Sequence, residues 1–306
     1  MTPGARMQAV IELLEQIWSG EEPIDRLTDV YFRKRRYAGS GDRRSIHATL
    51  YDVLRHRARL DWWIGRTGSS LEAGPRTRII AELALEIKSS PQETKAIFNG
   101  ATHCPAPLSD PEAELAEALY GRPLTHPDMP SPVALEYPDW MDRSLKTLWP
   151  ERLAVEMSAL NQPAPVDLRV NTLQSTPDAV RQSLKDDYIE VEPTPLSSIG
   201  LRLTGKARLA GSTAFKKGWV EVQDEGSQLI AQLTGARPGM KVVDFCAGGG
   251  GKTLALAAAM GTDGAIDGRL WACDISDYRL ERITLRLNRA GADNVRIKVI
   301  AALDDS

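Results

Sequence analysis

A chain of 306 residues exceeds the usual single-domain range and predicts two or three domains, and its composition, 42% hydrophobic and 26% charged, is ordinary for a soluble globular protein. A formal net charge of -3 excludes nucleic-acid attraction as a whole-chain property and leaves it to a local patch. Three widely separated cysteines, Cys104, Cys246 and Cys273, exclude a disulfide framework or paired zinc-ligand spacing, and no apolar run approaches the ~20 residues that span a bilayer, so a reducing cytoplasm is the expected compartment.

The pattern Met7, Val10, Ile11, Leu14, Ile17, Trp18 predicts a helix with one buried face. A second helix follows on Ile46, Leu50, Val53 and Leu54, with Asp42 as its cap, and a third on Ile79, Ile80, Leu83 and Ile87. Between Gly100 and Pro138 stand Pro105, Pro107, Pro111, Pro123, Pro127, Pro130 and Pro132, which reads as a connector. One short helix is predicted within it, capped by Asp110 ahead of Pro111. Helical patterning returns over Trp140–Leu160. The alternation Val166–Val170 predicts a strand, Asp178–Leu184 a helix, and Ile189–Val191 and Leu201–Leu203 further short strands, together a small α+β domain. Then come a helix over Val222–Leu233, a buried strand over Met240–Phe245, a helix over Thr253–Met260, a strand over Leu270–Cys273, a helix over Tyr278–Ala290 and a strand over Val295–Ile300. Such alternation predicts a parallel sheet wound by right-handed crossovers.

The stretch Val242-Val243-Asp244-Phe245-Cys246-Ala247-Gly248-Gly249-Gly250-Gly251-Lys252-Thr253 is a strand, a glycine loop and a helix start. Ligands of wound sheets sit at the carboxyl ends of strands, where glycine lets backbone amides approach them and the helix start adds a positive dipole end. A phosphate-binding P-loop would need glycine where Cys246 stands, and a dinucleotide fingerprint would need glycine where Thr253 or Leu254 stands. What remains is a nucleoside loop for S-adenosylmethionine. Asp274, ending the next strand, is placed to accept both ribose hydroxyls. The bland alternative is a glycine-rich turn followed by a capping aspartate.

Asp244 to Thr253 resembles the D-x-C-A-x-P-G-G-K-T signature of the Sun/RsmB/Nop2 family of RNA cytosine-5 methyltransferases. Leu168-Arg169-Val170-Asn171-Thr172 is similar to its L-R-V-N-T, Val222 to Gln228 to its V-Q-D-x-x-S-Q, and Asp274-Ile275-Ser276 with Arg279 to its D-x-S-x-x-R-L. The resemblance implies a multidomain chain. Residues 1–135 would be an all-α NusB-like RNA-binding module with its proline-rich connector, 136–220 a small α+β RNA-recognition-like domain, and 221–306 the first part of a Rossmann-like α/β class I methyltransferase domain. It implies S-adenosylmethionine as cofactor, held by Cys246, Ala247, Gly248, Gly249, Gly250, Gly251 and Lys252 with Asp274 on the ribose. Ribosomal RNA is the implied partner, with neither membrane nor metal. In the family one thiolate adds to carbon 6 of cytosine, so that carbon 5 takes the methyl, and a second cysteine helps release the product.

Two departures stand out. Gly248 and Gly249 replace the family's usual alanine and its proline, which leaves the loop less preorganised by ~0.5–1 kcal/mol per glycine. No Asp-Ala-Pro-Cys-like or Thr-Cys-Ser-like segment occurs before Ser306, and no adenine-side aspartate is evident in Ile300 to Asp304, so no catalytic cysteine is assigned. Cys246 falls in the cofactor loop, Cys273 reads as a core residue and Cys104 as a loop residue. A chain ending here is expected to expose an apolar sheet edge and to be poorly soluble or need a partner. A methyltransferase acting on protein or small molecules, and a non-catalytic RNA-binding or ribosome-assembly factor, are the rival readings.

The local basic patch is Arg33, Lys34, Arg35, Arg36, Arg43 and Arg44 beside Tyr31, Phe32 and Tyr37. Guanidinium forks and aromatics suit phosphates and bases, while a solvated helix face is the alternative; the resemblance favours RNA. Of the adjacent pair Trp62 and Trp63 one is expected in the core, and His47, His56, His103 and His126 lack ligand spacing and read as structural.

Overall fold

The computed structural model describes residues 1–301 apart from Glu21, Ser69 and Lys206; Asp304 and its neighbours lie outside the described residues. The chain divides into two compact units, Met1–Gln162 and the residues from Pro163 onward.

The first unit is helical: α1 Pro3–Ser19, α2 Ile24–Lys34, α3 Ser40–Arg55, α4 Arg57–Arg66, α5 Pro75–Leu85, α6 Pro91–Ile97, α7 Asp110–Leu119, α8 Ser131–Ala134, α9 Asp142–Leu148 and α10 Leu153–Leu160. Side-chain caps start several of them. The Thr2 hydroxyl accepts from the Ala5 amide, and the pairs Ser90–Glu93 and Ser109–Glu112 form reciprocal boxes ahead of a first-turn proline. Ser109, rather than Asp110, therefore caps α7. Asp42 lies in the first turn of α3 behind a Gly39 cap, where its carboxylate meets Arg6. Helix α5 is buried on every side from Thr77 to Leu85, with Ile79, Ile80, Leu83 and Leu85 in the core and Arg78 and Glu82 enclosed beside them, because α1, α4, α6 and α7 surround it. Each of those apolar side chains contributes ~1.5–3 kcal/mol by leaving water. The proline-rich stretch folds onto the same core: Leu115, Ala116, Leu119, Leu124 and Met129 are buried in it. Trp63 is buried and donates its indole N–H to the Leu124 carbonyl at 2.9 Å, while Trp62 is half-buried.

The second unit contains two sheets with different chemistry. Strands β1 Asp167–Val170, β2 Val191–Pro193, β3 Gly200–Leu203 and β4 Val220–Val222 form an antiparallel sheet in the order β2-β3-β1-β4, covered by α11 Pro177–Asp186 and α12 Thr213–Lys216. Leu168, Val170, Leu201 and Val220 face Val180 and Leu184 in a small core. After α13 Glu225–Leu233 the chain builds β5 Lys241–Asp244, α14 Gly251–Ala259, the small hairpin β6 Gly261–Thr262 and β7 Ala265–Ile266, then β8 Arg269–Asp274, α15 Asp277–Ala290 and β9 Val295–Val299. Strands β5, β8 and β9 are parallel in that order, as the strand-helix alternation predicts.

Three further expectations need correction. The helix predicted from Val222 is preceded by a strand, since Val220-Glu221-Val222 alternates against β1 and Asp224 then caps α13 by accepting from the Ser227 amide. The strand predicted at Ile189 begins at Val191, because the Ile189 amide still closes the end of α11 on the Leu184 carbonyl at 2.8 Å. Strand β5 is not buried: among the described residues it pairs only with β8, leaving Val243 55% exposed.

Candidate functional site

The glycine loop leaves β5 and is stitched to β8 on one side and α14 on the other. The Ala247 amide donates to the Cys273 carbonyl at 2.9 Å, and the Gly250 amide returns to the Ala247 carbonyl at 2.9 Å. The Thr253 hydroxyl, fully buried, donates to the Asp244 carboxylate at 2.7 Å and ties the end of β5 to the first turn of α14. Gly248 has φ +54° and Gly250 φ +82°, both in the left-handed region that disfavours any side chain. A Cβ at Gly250 would also stand 2.8 Å from Cγ1 of buried Ile283, whereas one at Gly248 would meet nothing within 4 Å. The loop thus hugs α15 at Gly250 and leaves open space above Gly248. Cys246 and Gly249 are exposed, Gly251 and Lys252 half-buried.

Asp274 is joined to this loop. Its Oδ2 accepts from the Gly248 amide at 2.8 Å and its Oδ1 from the Ser276 amide at 2.9 Å. Those two donors, Ser276 foremost, hold its carboxyl below the ordinary range, so it is ionised at neutral pH. The Ile275 amide adds a smaller contribution in the same direction, and of the carboxylate's roughly four acceptor positions these donors leave at least one for a hydroxyl. Phe245 and Ile275, 57% and 68% exposed, flank the loop and the acid, and Tyr278 is exposed one turn on. Open backbone N–H groups, an ionised acid with acceptor capacity to spare and bare apolar faces suit a nucleoside: amides for its polar tail, the acid for its sugar, the apolar faces for its base.

Beneath the loop lies a charged network that sequence reasoning did not find. Glu221 of β4, 3% exposed, accepts from Nη2 and Nε of Arg286 at 2.9 and 3.3 Å, and its other oxygen accepts from Arg289. Nη1 of Arg286 donates to the Gly249 carbonyl. Arg169 of β1 is wholly buried, gives its Nε to the Gln223 side chain at 2.6 Å, and is pulled down to about 10 by burial. Asn171 donates to the carbonyls of Gly218 and Ala290 at 2.8 and 2.9 Å and so fastens β1 to the end of α15. The available signal was Glu221 between two valines on a strand, a charge on a face that must pair or cost several kcal/mol.

The basic patch belongs to the helical unit and is divided in its commitments. Arg35 pairs with Glu12 at 2.9 Å and lies over the Tyr31 ring, and Arg43 donates to the Ala38 carbonyl at 2.9 Å. Arg33, Lys34, Arg36 and Arg44 are exposed and make no ion pair among the described residues. Arg33, Arg36 and Arg43 line a concavity with Asp29, Phe32 and His47. His56 meets the buried Glu82 carboxylate at 3.0 Å. Among the described residues no His, Cys, Asp and Glu cluster could hold a metal ion, and no helix is long and apolar enough to cross a membrane.

Residues 137–210 match the model of the RsmF/B-like methyltransferase ferredoxin-like domain, which includes the antiparallel strands β1 to β3. The chain is 33% identical over 161 residues to the ribosomal RNA small subunit methyltransferase B of Pseudomonas syringae pv. tomato, covering 53% of this chain and 35% of that protein. It is 26% identical over 285 residues to the protein of the same name from Erwinia tasmaniensis, covering 86% of this chain and 62% of the relative. The chain therefore spans between about a third and two thirds of the length of these relatives. The crystal structure of PH0851 superposes with a TM-score of 0.70 over 98% of this chain and 70% of that one at 22% identity, a likeness of fold alone.

Proposed function

We propose that this chain, a relative of the Sun/RsmB/Nop2 methyltransferases, carries the cofactor-binding and RNA-recognition apparatus of an S-adenosylmethionine-dependent enzyme that forms 5-methylcytosine in ribosomal RNA. The observation that carries the reading is the joint between the glycine loop and Asp274: left-handed Gly248 and Gly250, open space above Gly248, and an ionised carboxylate bonded to the Gly248 amide, three residues ahead of the start of α14. Residues Cys246 to Lys252 would cradle the methionine part, Asp274 the ribose hydroxyls, and Phe245 and Ile275 the adenine. The bound cofactor would supply an electrophilic methyl; the chain's own task is to orient it and keep water from its apolar flank. The match to curated relatives named as ribosomal RNA methyltransferases supports the substrate class.

In this reading residues 1–135 are a NusB-like RNA-binding module, 136–220 an RNA-recognition-like domain and 221–306 cofactor-binding, at work in the cytoplasm. Arg33, Lys34, Arg36 and Arg44 are the cations free to meet phosphate, with Arg35 and Arg43 behind them. RNA binding without methyl transfer is the second reading. Its support is the exposed basic face of Arg33, Lys34, Arg36 and Arg44 in the helical unit, which needs no methyl donor to meet phosphate.

Ultraviolet cross-linking with methyl-labelled S-adenosylmethionine, followed by peptide mapping, tests the reading. Label within residues 244–279 that competes away with adenosylhomocysteine is expected; label elsewhere, or none on folded protein, would reject it. Cross-linking to ribosomal RNA through peptides containing Arg33 and Arg36 tests the substrate class in the same way.

A further inference from the structure

We infer that Arg286 is the positioning residue of the glycine loop: its guanidinium clamps the Gly249 carbonyl and holds the backbone in the shape that receives the cofactor. This rests on the cofactor reading above. Four consecutive glycines have the largest conformational entropy a loop can have, and a loop of defined shape must be held from outside. Asp274 holds it at Gly248 and Ile283 packs against it at Gly250. Between those points Gly249 is exposed, and its carbonyl meets Nη1 of Arg286.

That guanidinium is itself fixed. Its Nε and Nη2 both lie on one oxygen of Glu221, a buried carboxylate that β4 places under α15, so three donors of one rigid fork span from Glu221 to the loop. A lysine has a single point charge and could not reach both. The arrangement also accounts for the tolerance of glycine at position 249, where the resembling signature has a proline that would stiffen the bend covalently. Gly249 is outside the left-handed region, its amide enters no backbone hydrogen bond, and a Cβ there would come no closer than 3.5 Å to anything, namely Arg286 Nη1. Position 249 thus has room for a side chain and no backbone donor to lose, and a proline there would stiffen the bend covalently in place of the clamp.

The test uses the full chain with Arg286→Ala, Arg286→Lys and Arg286→Ala/Gly249→Pro, reading amide hydrogen exchange of the loop without ligand and calorimetric affinity for adenosylhomocysteine. Both single variants should speed exchange of the Gly248 and Gly250 amides and weaken binding about tenfold, a charged hydrogen bond's worth. Glu221 keeps Arg289 as partner, so global melting should change little. The proline double variant should regain most of the affinity, which a general loss of stability would not allow. Exchange and affinity within twofold of the parent in both single variants would overturn the inference; should Arg286→Ala fail to fold, Arg286→Lys decides alone. A folded parent that binds no adenosylhomocysteine would sink the cofactor reading, and the exchange data would still decide whether Arg286 shapes the loop.

Discussion

Replacing Gly250 by alanine should do damage that the same change at Gly249 does not. At Gly250 the new side chain must adopt φ +82°, a conformation costing a non-glycine residue ~1–2 kcal/mol. Its Cβ would also stand 2.8 Å from Ile283 Cγ1, and Ile283 is fully buried among Leu254, Leu280 and Leu287, so relief requires repacking at ~1–3 kcal/mol. Gly250→Ala should then cost roughly 2–5 kcal/mol. Gly249→Ala meets no positive φ and no atom nearer than 3.5 Å, so it should stay within ~0.5 kcal/mol of the parent. Urea unfolding followed by far-ultraviolet circular dichroism and tryptophan fluorescence measures both. Two variants of equal stability would refute the argument that α15 and backbone handedness, rather than mere turn propensity, demand glycine at 250.

Asn171→Ala leaves the Gly218 and Ala290 carbonyls without their donor inside the protein and should cost roughly 2–4 kcal/mol by urea unfolding; less than ~1 kcal/mol would mean those carbonyls find other donors. Arg33→Glu with Arg36→Glu should weaken RNA binding and flatten its dependence on salt by about one unit of slope per lost phosphate contact, without lowering stability, whereas Arg35→Glu should destabilise through Glu12; unchanged filter binding across salt would remove the patch from the RNA surface. The Asp274 carboxyl is held below its unfolded value, so its contribution to the loop is present at pH values above about 4 and is lost as pH falls through the lower folded value. Nuclear magnetic resonance of the Gly248 and Ser276 amides should show a single titration below pH 4 that Asp274→Asn abolishes; a midpoint above 4 would contradict the assignment of those donors.

Much of the architecture was legible because hydrophobic period is a strong signal over long elements. The stripes of α1 and α15 and the succession β5, α14, β8, α15 and β9 stand in the sequence as plainly as in the fold, whereas the two-residue strands of the β6–β7 hairpin carry no pattern to read. The short strand β4 was not, since three residues carry too little pattern and Val222 fits either a strand or a helix. β5 reads as buried on composition alone; its exposure depends on what pairs with it, which no local pattern records. At the site, the glycines and Asp274 could be found because their residue types announce unusual backbone and charge. Glu221 and Arg286 could not, because 65 residues of chain separate two charges that the β4–α15 packing brings to 2.9 Å, and surface arginines of identical appearance are common. The same limit split the basic patch, where only tertiary structure shows Arg35 spent on Glu12 while Arg36 makes no ion pair among the described residues.

Titration calorimetry of the intact chain with adenosylhomocysteine, run beside ATP and NAD, addresses the nucleoside loop most directly. Saturable heat with adenosylhomocysteine alone, diminished in Asp274→Ala, is the expected result. Equal binding of all three ligands, or none to a sample whose circular dichroism and melting show it folded, would contradict the claim that Cys246 to Lys252 and Asp274 form a site for S-adenosylmethionine.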